Sequence, residues 1–278
     1  MLPPDEQNQV QRFMFVKDQR LALASRLLQR AAVHHCFHVP LPNIVIERTP
    51  ERKPFWRRRA QDYNGDDDAA AAAALRVWNY NVSHHGTIVA LASSASHLVG
   101  VDVVRIADRP RRGSAAEFFR AFEGHFNASE WQIIRHAADD DEDAQYAAFY
   151  RLWSLKEAYI KAIGIGLGFQ LLRAEFFQDE DGDATRWKMR LDGGIAEEWS
   201  FESTQVDAEH VVSVACGPLS AIWNPATGSV YADGVVVDNK LSHQGHARGD
   251  GSCLLWQSRD WACLFETVAD SFDAGATG

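Results

Sequence analysis

Three features of the sequence predict an α+β fold. Apolar residues recur at helical spacing over residues 13 to 39 and again over 149 to 169. Short apolar or alternating runs bounded by turn residues mark strands at 44 to 49, 98 to 106 and 210 to 216. The order is helix, strands, helices, strands, which is not the regular alternation that builds a parallel sheet.

In the first segment, Leu21, Leu23, Leu27, Leu28 and Val33 form an apolar stripe with cations interleaved, so residues 13 to 39 read as an amphipathic helix. IVIERT alternates as a strand does and leads into the basic, turn-prone ERKP. Residues 57 to 74 are low in complexity and read as a loop insertion. NYNVSHHG reads as a turn feeding the strand TIVALASS, and LVGVDVVRI as a buried strand. RPRRGS is a basic loop before the helical AAEFFRAFEGHF, and Ser129 is placed to cap a further helix, SEWQIIRHAA. The acidic run DDDED at 139 to 143 lacks a folded spacing and reads as a solvated connector. The helix FYRLWSLKEAYIKAI follows, stopped by Gly164, Gly166 and Gly168. RWKMRLDG and HVVSVAC are strand-like and bracket EEWSFES. Beyond residue 219 the chain turns rich in Gly, His and Asp, a linker before a short apolar tail around Leu254 to Phe265.

Composition narrows the function classes. The 278 residues are 46% hydrophobic, enough for the core of one large or two small domains. A net charge of −10 disfavours nonspecific binding to nucleic acid or to an anionic membrane, while leaving room for a local basic pocket. Cys36, Cys216, Cys253 and Cys263 are widely spaced with no CxxC pair, which argues against a disulfide framework and for a reducing compartment. MLPPDEQNQVQRF is too polar for a signal peptide, and no apolar run approaches a membrane span. The expectation is a soluble cytoplasmic protein.

Two carboxylates stand out. Asp102 interrupts an apolar strand, where a charge is costly unless paired or metal-bound. Glu157 lies in a similarly apolar, aromatic helix, one turn before Lys161; the i to i+4 pair is either a half-buried ion pair or faces a cleft. Brought together, the two acids would repel unless a cation lay between them. Mg²⁺ fits, because it takes a few carboxylates and bridges to phosphates, and Lys161 would add a further positive charge. Pairing of Asp102 with Arg105 or Lys161 is the plainer alternative.

NVSHHG offers hydroxyl, imidazole and backbone donors that suit a phosphate or simply form a turn. Neither GxxxxGK[ST] nor GxGxxG is present. A Ser83, His84, Asp102 hydrolase lacks the GxSxG elbow and sets the serine beside its own base. HHCFH, at 34 to 38, is too contiguous for a zinc site and reads as a helix end.

GVDVVRI, followed about fifty residues later by WSLKEAYIKAIGIGL, resembles the paired signatures (V/I)G(V/I)D and W(A/S)xKEAxxKxxG of the 4′-phosphopantetheinyl transferases. FVKDQRLALASRLLQR resembles that family's N-terminal helix, IERTPERKP its basic coenzyme A segment and NVSHHG its SH turn. RGSAAEFFRAFEGHFNASEW and EEWSFESTQVDAEHVVSVA resemble its human-type branch. The resemblance runs in order over residues 9 to 217, and SRDWACLFE continues it in the tail.

The resemblance implies a pseudo-twofold α+β fold of two similar subdomains, residues 1–99 and 100–218, with coenzyme A between them and 219–278 as linker and tail. It implies that Asp102 and Glu157 bind Mg²⁺, and that Asp102, Glu157 and Lys161 are catalytic. Arg48, Thr49, Pro50, Glu51, Arg52 and Lys53, with Asn81, Val82, Ser83 and His84, would hold the nucleotide end and its 3′-phosphate. Ala158, Tyr159 and Ile160 complete the coenzyme-binding set on the helix of Glu157 and Lys161.

The implied reaction is that of a holo-[acyl-carrier-protein] synthase. It transfers 4′-phosphopantetheine from coenzyme A to a serine of apo acyl carrier domains, releasing adenosine 3′,5′-bisphosphate. The expected partners are domains of a fatty acid synthase or an aminoadipate-type dehydrogenase, met by a monomer through the basic loop Arg109, Arg111 and Arg112 and through Arg120 on the next helix. A coenzyme A-binding remnant and a divalent-metal phosphohydrolase are the alternatives. Two departures stand out. Gln9 stands where a segment resembling PEExxR carries a coenzyme-binding arginine, in a subdomain that lacks the family's first segment. Val104 stands where the bacterial branch has a third acid.

Overall fold

A computed structural model describes residues 2–49, 52–57, 78–110, 112–139, 141–165, 168–178 and 183–219. The low-complexity insertion lies almost wholly outside these residues, and the Gly- and His-rich segment with its apolar tail lies entirely outside them.

The N-terminal half begins with α1, Pro4–Gln11, whose Pro4 sits in the first turn where its missing N–H costs nothing. Helix α2, Val16–Phe37, ends at His38 in a left-handed conformation, φ 54°, and His34 Nδ1 bonds the Val39 carbonyl. HHCFH is therefore a helix end. The helix starts three residues later than the periodicity suggests, because Phe13, Met14 and Phe15 are exposed in the corner between the two helices.

Strands β1, Ile46–Arg48, and β2, Pro54–Trp56, pair antiparallel. Val33, Ile44, Trp56, Trp78 and Tyr80 form their core, with Phe37 stacked on Trp56. NYNVSHH, expected as a turn, is instead strand β3, Asn79–His85, paired with β4, Ile88–Ser94. The turn falls at Gly86 and Thr87, where Gly86 takes φ 62°. The turn-forming residues Asn79, Asn81 and Ser83 are buried in β3, where their side chains accept hydrogen bonds from the next strand.

That strand is β5, Leu98–Arg105, at the edge of a third, six-stranded antiparallel sheet. The sheet order is β5, β10 (His210–Gly217), β9 (Ser200–Gln205), β7 (Arg186–Leu191) and β6 (Ala174–Gln178), with the short β8 (Gly194–Ile195) beside β7. Between β5 and β6 come α3 (Ala115–Arg120), α4 (Ala128–Arg135) and α5 (Glu142–Ile163). Ser114 and Glu117 form a capping box on α3. On α4 the cap is Asn127, not Ser129: the Asn127 N–H donates to Glu130 at 2.8 Å, and the Ser129 hydroxyl, inside the helix, donates to Glu175. The acidic run is partly structural, since Asp141 caps α5 by accepting from the Ala144 N–H, and Glu142 and Asp143 form the first turn.

Helix α5 lies across β5 and β10. Phe149, Leu152, Leu155, Ala158 and Ala162 are at most 1% exposed in its core face, interlocked with Phe119, Phe126 and Trp131. Each large side chain so buried contributes about 1.5–3 kcal/mol. The close approach depends on Gly100: a Cβ there would lie 2.0 Å from the Ala158 carbonyl oxygen. Gly164, at φ 74°, ends the helix.

Among the described residues no helix is long and apolar enough to cross a membrane.

Candidate active site

The two halves meet in a cleft of ≈ 650 Å³. Its C-terminal wall is one stripe of α5: Trp153, Glu157, Ile160, Lys161 and Gly164 follow helical spacing and all line it. Its N-terminal wall is basic, with Arg48, Arg52 and Lys53 beside Asn81, Val82 and His84.

Asp102 is 5% exposed on β5. The Lys161 ammonium donates to its Oδ1 at 2.5 Å and to the Ser83 hydroxyl at 2.8 Å, and the Ser83 hydroxyl donates to the same Oδ1 at 3.2 Å. Arg105, the other candidate partner, instead pairs with Asp108 and Glu209. Of the two readings of Glu157 and Lys161, the cleft is where both residues lie, and Lys161 bonds Asp102. Burial pushes the Glu157 carboxyl above its ordinary range, the Asp102 charge pushes it further, and Lys161 only partly offsets them. Two carboxylates facing one ammonium leave the site a positive charge short.

That deficit fits a hard divalent cation. Among the described residues no cluster of three or more His, Cys, Asp or Glu could hold a metal ion, so Mg²⁺ here would rest on Asp102 and Glu157 and complete its shell with water and substrate oxygens.

The basic wall is preorganised. The Thr49 hydroxyl accepts from the Lys53 N–H, and the Arg52 N–H, at a residue with φ 70°, donates to the Thr49 carbonyl. Arg48 donates to the Arg52 carbonyl at 2.9 Å. Lys53 reaches across the cleft to the Ala162 carbonyl at 2.9 Å, and desolvation lowers its ammonium to about 8. Pro50 and Glu51 lie outside the described residues. His84 is exposed on the cleft, and partial burial followed by the nearby Lys161 charge lowers its imidazole.

Ser83 and His84 point to opposite sides of β3, the first buried and the second exposed, so no serine–histidine–aspartate relay forms. Ala158 and Tyr159 are not on the cleft wall. Ala158 is fully buried, and Tyr159 packs on Trp199 at 4.8 Å in the core, because the two residues after Glu157 turn away from its face.

Sequence reasoning missed the far end of the cleft. Gly124, His125, Phe169 and Leu171 close it beside Trp153, with His125 tilted against the indole at 5.8 Å. Trp153 was legible as the residue one turn before Glu157; Gly124 and His125 were expected inside the helix AAEFFRAFEGHF, but that helix stops at Arg120 and they lie in a separate 3₁₀ turn, as Leu171 does in another. Also missed was the buried ion pair of Lys156 with Glu130, 2.9 Å apart on the side of α5 away from the cleft.

Residues 1–96 match the family model described as 4'-phosphopantetheinyl transferase, N-terminal, and residues 98–215 that of the 4'-phosphopantetheinyl transferase superfamily. The L-aminoadipate-semialdehyde dehydrogenase-phosphopantetheinyl transferase of Xenopus laevis is 36% identical over 234 residues, covering 82% of this chain and 72% of that one. The chain belongs to the 4′-phosphopantetheinyl transferase family. The Homo sapiens protein of the same description is 34% identical, over 77% of this chain and 66% of that one. A phosphopantetheinyl transferase of Thraustochytrium sp. is 36% identical, over 77% and 69%. The matched region is thus about two thirds of the length of these relatives. Among solved structures, the holo-[acyl-carrier-protein] synthase of Thermotoga maritima is 21% identical with a TM-score of 0.33, over 44% of this chain and 64% of that one. In this transferase-family chain the two matched segments meet at the cleft, the first supplying the basic wall and the second Asp102, Glu157 and Lys161.

Proposed function

We propose that the protein transfers 4′-phosphopantetheine from coenzyme A to a serine of apo acyl carrier domains, with Mg²⁺ as cofactor. The observation that carries this reading is the convergence of a basic wall and a carboxylate pair with its lysine on one cleft. Arg48, Arg52 and Lys53 suit the phosphates at the nucleotide end. Asp102 and Glu157 would hold the metal, which when bound neutralises charge on the diphosphate.

The carrier serine oxygen forms a bond to the phosphorus that bears the pantetheine arm. The bond from that phosphorus to the bridging oxygen breaks, and adenosine 3′,5′-bisphosphate leaves with the electron pair. Glu157, on the cleft wall where the serine must enter, takes the serine proton. Lys161 holds Asp102 in place and supports the charge that develops on the leaving side.

The carriers proposed are an aminoadipate-type dehydrogenase domain and a fatty acid synthase domain, met by a monomer in the cytosol. Incubation with coenzyme A, Mg²⁺ and apo-carriers of both kinds is expected to add the mass of phosphopantetheine to the carrier. Free phosphopantetheine with unmodified carrier would point to a phosphohydrolase. Binding of coenzyme A without either product would point to a remnant that only binds.

A further inference from the structure

Strand β3 pairs through its backbone with β4 and not with β5, yet it runs alongside β5 and is fastened to it by side chains. Asn79 accepts from the Val99 N–H at 3.1 Å, Asn81 from Val101 at 2.9 Å, Ser83 from Val103 at 3.3 Å and His85 from Arg105 at 3.1 Å. Every step joins residues 20 apart, so the strands are parallel and in constant register. Two rungs, Asn81 and Ser83, grip the amides on either side of Asp102.

Ser83 differs from the other rungs. Its one hydroxyl accepts from Val103 and from Lys161 and donates to Asp102 Oδ1. It is 6% exposed and does not line the cleft, whereas its neighbours Val82 and His84 do. Both bonds to the Asp102 carboxylate use Oδ1, which leaves Oδ2 to meet a cation.

We propose that Ser83 is a positioning residue for the Asp102–Lys161 pair and not a ligand of the nucleotide phosphates. The proposal rests on the transfer activity above. A hydroxyl that fixes both the direction of a metal-binding carboxylate and the place of its neighbouring lysine should control the reacting end of the substrate, with little effect on the nucleotide end.

The test uses the full chain with Ser83→Ala and with Ser83→Thr, which keeps the hydroxyl; thermal melting checks that each is folded. In Ser83→Ala, kcat for transfer is expected to fall about 10- to 100-fold, while the calorimetric Kd for adenosine 3′,5′-bisphosphate stays within about two-fold of wild type. Ser83→Thr is expected to retain most of the rate. A second readout needs no turnover: the gain in coenzyme A affinity on adding Mg²⁺ is expected to shrink in Ser83→Ala and persist in Ser83→Thr.

Loss of bisphosphate affinity in Ser83→Ala to the same degree as kcat would make Ser83 a phosphate ligand and overturn the proposal. So would an unchanged kcat, or a Mg²⁺-linked gain equal to that of wild type. A wild-type protein that modifies no carrier would defeat the transfer reading instead, and the Mg²⁺-linked gain would still decide the role of Ser83.

Discussion

The Lys161 ammonium sits 2.5 Å from Asp102 Oδ1, so the lysine that the helix sequence sets one turn from Glu157 is bonded to a carboxylate 59 residues earlier. Glu157 therefore faces the cleft without a full counter-charge, and burial and Asp102 both raise its pKa.

Glu157→Gln is expected to lower kcat by about 10²–10⁴-fold, the usual contribution of a general base, with an unchanged circular dichroism spectrum. Asp102→Ala should abolish Mg²⁺-dependent transfer, because one carboxylate leaves the ion underligated. Full activity in either variant would remove it from the assigned pair.

The pH dependence should report Lys53. Its ammonium is lowered to about 8 by burial, so it is charged below that value and neutral above it. If its charge holds a coenzyme phosphate, kcat/KM for coenzyme A falls as pH rises through about 8. In Lys53→Arg the guanidinium keeps its charge, and the alkaline fall should move to higher pH. A profile identical in the two proteins would sever Lys53 from the phosphates.

The buried pair of Lys156 and Glu130 belongs to stability. Lys156 also donates to the carbonyls of Leu171 and Ala174, and Glu130 accepts from the Phe176 N–H. The pair thus pins α4, α5 and the start of β6 together. Lys156→Met is expected to cost about 3–5 kcal/mol, because it leaves a buried carboxylate unpaired. Pairing it with Glu130→Leu should restore much of that loss in chemical denaturation.

Carrier docking should depend on Arg112 and Arg120 more than on Arg109. Arg111 lies outside the described residues; Arg112 and Arg120 are exposed, whereas Arg109 is bonded to Asp143 and lies 5.3 Å over the Tyr146 ring. Changing Arg112 and Arg120 to Glu is expected to raise the KM for an acidic carrier and leave coenzyme A affinity unaltered, with an effect that shrinks as salt rises. Unchanged carrier kinetics would take this face out of the interface.

The strands at Leu98–Arg105 and His210–Gly217 were legible because unbroken apolar runs leave a strand little choice, and Asp102 stood out against its run. The hairpin at Asn79–Ser94 was half missed. Asn and Ser favour turns when their side chains bond their own backbone, and here they bond the backbone of another strand, a partner no local pattern discloses. Helical spacing puts Glu157 and Lys161 on one face, and both line the cleft. That same spacing, applied strictly, would have moved Ala158 and Tyr159 to the opposite face. The cap at Asn127 lost out to Ser129 because both are good caps two residues apart.

Because β3 is fastened to β5 by side chains alone, one strand carries two independent sets of isotope-exchange reporters. The amide hydrogens of Val99, Val101, Val103 and Arg105 are guarded by the N-terminal half, whereas Gly100, Asp102 and Val104 sit in the ladder with β10. If the halves part to admit or release a ligand, deuterium should enter at the odd-numbered positions while the even-numbered ones stay protected. The seam can then be timed, residue by residue, without a probe attached to either half.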